Sequence, residues 1–155
     1  MDLRKLESGR IATLVDLMLK AAAHVPLDRT DWKPEGKGQS AQELLAHTAG
    51  ANLFFARLIK GTEAPPTDRY QNVQDITADA KTYLQAQEAL KASAEVLGQT
   101  VRATTDEQLR EERQMPWGER WKMTRVLTAP GAHIAYHWGQ LCYLQTLLGD
   151  IEDHR

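Results

Sequence analysis

Cysteine is nearly absent from this chain: Cys142 stands alone among 155 residues. One thiol excludes an intrachain disulfide and any zinc site built on several cysteines. A dominant charge is missing too, since 19 basic and 21 acidic side chains leave a formal −2 at neutral pH. No dense basic stripe marks a nucleic-acid surface. No apolar run approaches the roughly 20 residues that a membrane-spanning helix needs. The opening Met-Asp-Leu-Arg-Lys-Leu-Glu lacks the apolar core of a signal peptide. These absences lead to the expectation of a cytoplasmic protein with neither nucleic acid nor membrane as partner. The length suits one domain, assigned to residues 1–150, with 151–155 as a C-terminal tail that frays.

What is present is helical periodicity. Ile11, Leu14, Met18 and Ala21 recur at 3–4 spacing and predict a helix over about residues 2–23. A long polar connection follows. Ser40-Ala-Gln-Glu43 then has the pattern of a capping box, in which serine and glutamate satisfy each other's free amides. It opens a second helix that Gly61 closes, with Leu44, His47, Ala51, Phe54 or Phe55, and Leu58 on one face. After a second long connection, Ile76, Ala80, Tyr83, Leu90, Ala94, Leu97 and Val101 predict a third helix over 76–103, broken in its pattern only by Gln87. Thr105 and Gln108 are spaced to cap one further short turn. Residues 114–123 suggest a small β-hairpin with Gly118 at the first position of its turn. The last helix is expected from Thr124 to about Leu148, with Gly149 as its C-cap and a kink or restart at Pro130. Four helices with buried stripes predict an all-α four-helix bundle with long connections.

Three histidines carry the chemistry. His133 and His137 lie four apart in the last helix, so both imidazoles project from one face, one turn apart. His47 lies on the apolar stripe of the second helix. A buried imidazole left unsatisfied costs about 1–3 kcal/mol, and a shared metal ion removes that cost for all three. Three neutral nitrogen donors suit zinc, nickel, iron or manganese in the divalent state, without choosing among them. The pattern also excludes two chemistries. Ile134 stands where a zinc peptidase of the His-Glu-x-x-His type carries its glutamate, and the Glu-x-x-His repeats of di-iron bundles are missing.

The order Trp32-x-Pro34, Ser40-x-x-Glu43-Leu-Leu-x-His47, His133-x-x-x-His137-x-Gly-Gln140-Leu and a closing Leu-Gly149 resembles the DinB/YfiT-like metal-binding bundles over nearly the whole chain. The resemblance implies an up-down-down-up bundle, a homodimer, and a divalent ion held at His47, His133 and His137. Two features depart from the pattern. Pro130-Gly131 stands just before the ligand pair, and no fourth protein ligand is identifiable, which leaves water for the remaining positions.

Relatives in that family are metal-dependent hydrolases, or transferases and isomerases that use a low-molecular-weight thiol. Two readings follow. In one the chain is a metal-dependent enzyme, a thiol S-transferase or a hydrolase, acting on a small-molecule ligand, with Asn52, Gln140 and Arg57 near the mouth of its site. In the other the ion braces a non-catalytic stress-response module. Elsewhere, Cys142 is read as core packing, Trp117 and Trp121 as hairpin packing, and His24 and His154 as solvated. Gly50 and Gly139 are read as points of close helix approach.

Overall fold

The computed structural model describes residues 2–61 and 80–154. Four long helices dominate them: α1 (Leu3–Ala23), α2 (Ala41–Lys60), α3 (Tyr83–Arg102) and α4 (Met123–Leu147). Short 3-10 turns lie between α1 and α2 and after α3. A two-stranded antiparallel hairpin, β1 (Glu112–Gln114) and β2 (Arg120–Lys122), precedes α4.

Local chemistry sets most of these boundaries. Asp2 caps α1 by accepting from the Arg4 amide at 2.9 Å. The Ser40–Glu43 capping box is fully formed, and the left-handed Gly61 (φ 74°) ends α2. The third helix corrects the expectation. It begins at Tyr83 under a second capping box, Thr82 with Gln85, and Ala80 and Lys81 lie outside it; Ile76 falls outside the described residues. Thr105 and Gln108 exchange the same reciprocal bonds around the turn Gln108–Arg110.

The hairpin is present with a different turn. The Gly118 amide donates to the Met115 carbonyl and the Met115 amide to that of Glu119. Pro116 therefore takes the second position of a turn starting at Met115, and Gly118 (φ 95°) the fourth. In α4 the helix continues through Pro130 without a restart. At its end, Gly149 donates to the Thr146 carbonyl and Asp150 to that of Gln145, the paired bonds of a Schellman motif.

Bonds between helix ends establish the directions. The start of α1 meets the end of α3 through Arg4 and the Thr104 carbonyl, and its end meets the start of α3 through the Tyr83 hydroxyl and the Ala22 carbonyl. These two helices are antiparallel. The Gln145 amide on α4 donates to the Ala21 carbonyl on α1, so α1 and α4 run together. Gln42 on α2 reaches the Lys81 carbonyl just before α3, so those two also run together. The order is up-down-down-up, as expected. α2 packs against α3 and α4, while α1 packs against the other sides of the same two helices.

Ile11, Met18, Leu44, Leu45, Leu90, Leu97, Leu127, Ile134 and Leu141 are fully buried between them. Each such side chain contributes roughly 1.5–3 kcal/mol of burial. No helix among the described residues is long and apolar enough to cross a membrane.

The capping box of α2 deserves a direct test because that helix carries His47. Burial works to raise the Glu43 carboxyl, but the Lys33 ammonium and the Ser40 amide outweigh it and hold it below its usual value. Ser40→Ala is expected to cost about 1 kcal/mol, lowering Tm by roughly 2–4 °C in a chain of this size. A carboxyl lowered in the fold stabilises above its unfolded value and loses that contribution as pH falls through the folded one. The Tm difference between wild type and Glu43→Gln should therefore be full at pH 7 and shrink toward pH 3 in thermal melts.

Candidate metal centre

The topology brings α2 alongside α4, and with it His47 alongside His133 and His137. The ring centroids are 5.2 Å apart for His47 and His133, 4.6 Å for His47 and His137, and 4.4 Å for His133 and His137. One donor atom from each ring lies within 4.8 Å of the other two. His137 Nε2 is 3.2 Å from His133 Nε2. Two nitrogens each about 2.1 Å from a common ion, at angles between square and tetrahedral, are separated by about 3.0–3.4 Å. The pair therefore has the spacing of two ligands of one ion.

The protonation of His137 is set by its neighbours. Its Nδ1 lies 2.7 Å from Gln140 Oε1. An amide oxygen only accepts, so Nδ1 carries the hydrogen and Nε2 presents its lone pair toward the other two imidazoles. Gln140 is itself held, since its Nε2 donates to the Tyr136 hydroxyl at 3.2 Å. His137 is only 5 % exposed. Burial, and then the nearby His47 imidazole, push its pKa down to about 4, against the opposing Gln140 bond. At neutral pH the ring is uncharged, as a metal ligand must be. His133 and Phe55 meet in a T-shaped arrangement, at 6.3 Å between centroids. His133 and His47 are half-buried as residues, while the Nδ1 atom of His133 is enclosed.

Of the three polar groups expected at the mouth, Gln140 is placed at the cluster by a direct bond to His137. Asn52 is 1 % exposed and donates to Ser93 Oγ at 3.2 Å, tying α2 to α3. Arg57 lies ten residues beyond His47, roughly 15 Å along the helix. It lines a cavity of about 870 Å³ between the end of α2 and the hairpin, to which none of the three histidines contributes. The i,i+3 spacing of His137 and Gln140 was the available signal for an orienting residue.

Other expectations divide. Cys142 is half-buried, and burial together with the Asp153 charge raises its thiol, which disfavours the thiolate. Trp117 and Trp121 pack on each other in the hairpin, with Arg125 over the Trp121 ring at 3.8 Å. Gly139 is exposed with open space where a side chain would stand, so no close helix approach explains it. Gly131 is the tight position: a Cβ there would come within 3.1 Å of Arg10 Nε. His24 is exposed, as expected, whereas His154 is half-buried, with its ring stacked on that of His24 and its Nε2 2.8 Å from Asp150 Oδ2.

Fold and site together define a class: a four-helix bundle carrying three histidines on two adjacent helices that are distant in sequence. The chain belongs to the DinB superfamily, whose family model matches residues 11–141. No curated protein matches it in sequence. Among solved structures it is similar to a mycothiol-dependent maleylpyruvate isomerase and to a histidine-to-alanine mutant of such an enzyme. In each case the TM-score is 0.74 at 14 % identity, and the match covers 91 % of this chain and 61 % of the other. The chain thus matches about three fifths of that enzyme's length, and at this identity the likeness establishes the fold.

The donor set can hold one divalent ion, which gives a direct expectation. Protein purified without a histidine tag and dialysed against metal-free buffer should retain about one ion per chain, and His137→Ala should lose it. Gln140→Leu should weaken affinity by about 10- to 100-fold while leaving the helical content unchanged. Metal analysis and competition with a chelator read both outcomes. Equal retention by wild type and His137→Ala would remove the site.

Proposed function

We propose that the chain is a metal-dependent enzyme that uses a low-molecular-weight thiol on electrophilic small molecules, as an S-transferase or isomerase. The observation that carries this reading is the asymmetry of the three imidazoles. His137 is buried and oriented by Gln140, while His47 and His133 keep partial exposure. A purely bracing ion favours a closed set of protein donors, whereas three donors with access leave coordination positions for a ligand. A divalent ion held there would supply Lewis acidity, favouring the deprotonated form of a thiol or of water at neutral pH.

The chain's own residues have definable tasks in this reading. His47, His133 and His137 hold the ion, and Gln140 keeps His137 in the tautomer that presents Nε2. Tyr136 holds Gln140 in turn. The raised thiol of Cys142 makes it a poor nucleophile, so the reactive sulfur comes from the cofactor. Superfamily membership and the fold shared with a mycothiol-dependent isomerase support a thiol over water alone, although hydrolysis uses the same centre. The metal belongs to the set zinc, nickel, iron or manganese. The same reading includes a homodimer; Tyr136, Tyr143 and Leu147 are exposed along α4 and offer it a surface.

Thermal melting with a panel of low-molecular-weight thiols tests the proposal. A thiol cofactor should raise Tm in the metal-loaded protein, and the rise should vanish after chelation or in His137→Ala. Ligand at about 100 times its Kd contributes about 2.7 kcal/mol, a shift well above error. No shift with any thiol in the metal-loaded protein would overturn the thiol reading and favour the bracing one.

A further inference from the structure

A second group of side chains of metal-ligand type, His24, Asp150 and His154, lies where α1 and α4 end. His24 ends α1 as its C-cap, with its backbone amide bonded to the Ala21 and Ala22 carbonyls. The last turn of α4 is fastened beside it, because Gln145 Nε2 donates to the Ala21 carbonyl at 3.0 Å. The Schellman turn at Gly149 then reverses the chain, and the Glu152 amide donates to Asp150 Oδ1 at 3.1 Å, curling the tail once more. These bends return His154 to Asp150, with Nε2 and Oδ2 2.8 Å apart. The His154 ring lies flat on that of His24, at 3.5 Å between centroids and 11° between planes.

One donor atom each from His24, Asp150 and His154 lies within 4.8 Å of the other two. The side chains of Asp150 and His154 are 25 % and 17 % exposed, whereas His24 is exposed. The bond from His154 is the largest influence lowering the Asp150 carboxyl, which is anionic at neutral pH. A cavity of about 320 Å³ lined by Asp150 and His154 opens beside the group and gives an ion and its waters a way in. The C-terminus of α1 adds the partial negative charge of a helix end, which favours a cation there.

We propose that His24, Asp150 and His154 form a second divalent-cation site that clasps the tail following α4 to the end of α1. Stacked rings hold their lone pairs in parallel planes, so an ion enters as the two rings splay and His154 Nε2 exchanges its bond to Asp150 for the ion. Two imidazole nitrogens and one carboxylate oxygen then suit a borderline cation such as zinc over magnesium or calcium. This site does not depend on the three-histidine centre: it draws on no residue of that centre. With one carboxylate, three donors and substantial exposure it is the weaker of the two. It therefore fills only when zinc is added and is emptied by dialysis.

The experiment is equilibrium dialysis of the full, tag-free chain against zinc, with metal content read by mass spectrometry and folding by circular dichroism. The His137→Ala protein, which lacks the first centre, is expected to take up about one zinc ion per chain. Adding His24→Ala or His154→Ala to that background should abolish the uptake at unchanged helical content. Asp150→Asn, which keeps the size of the side chain and removes its charge, should weaken binding at least tenfold. Zinc should raise Tm in the His137→Ala protein and not in the double variants. Zinc uptake equal in the presence and absence of His24, or no uptake by His137→Ala at millimolar zinc, would overturn the proposal and leave the stacked rings as an ion-free clasp.

Discussion

An imidazole buried between two helices has to be satisfied without being charged, and the rest of the candidate centre is arranged around that constraint. His137 is the ring concerned. Its Nδ1 hydrogen is taken by Gln140 at 2.7 Å, and burial keeps the ring neutral. With one nitrogen committed, the lone pair of the other can point only toward His133 and His47. Leucine at position 140 would leave an N–H without its acceptor and a ring free to turn. The interaction spans three residues, and it fixes which nitrogen of His137 faces the other two imidazoles.

The up-down-down-up order makes the cluster possible. α2 and α4 are separated in sequence by α3 and the hairpin, yet pack side by side. His47 can then face a pair more than 80 residues away. Short connections between antiparallel neighbours would favour a different arrangement, in which consecutive helices pair first. At 14 % identity the same bundle recurs in the isomerase. The bundle is thus compatible with very different core residues.

Much of this was legible in the chain because the strongest signals are local. The Ser40–Glu43 box, the Gly61 and Gly149 ends and the His133–His137 spacing each depend on contacts within a few residues. The start of the third helix was misplaced because the apolar period of Ile76 and Ala80 runs on past the Thr82 cap, and a periodic stripe carries no mark of where its helix begins. Gly118 was misplaced within its turn because Pro116 and Gly118 fit more than one hairpin register. The polar character of Gln140 is plain in the chain, but its task depends on a hydrogen bond to His137 that only the folded helix defines. The pairing of His24 with His154 lay beyond sequence reading altogether. It depends on two chain reversals after Gly149 and on α1 and α4 ending at the same level. Asn52 has a role that polarity near a motif does not reveal, since its amide ties α2 to Ser93 on α3.

The most direct measurement of the central claim is X-ray absorption at the metal edge of the tag-free protein, with His24 replaced by alanine so that one ion is bound. The account predicts three imidazole nitrogens at about 2.0–2.1 Å, falling to two when His47 is also replaced. Sulfur scattering from Cys142, a shell of oxygen alone, or a spectrum indifferent to His47 would contradict it.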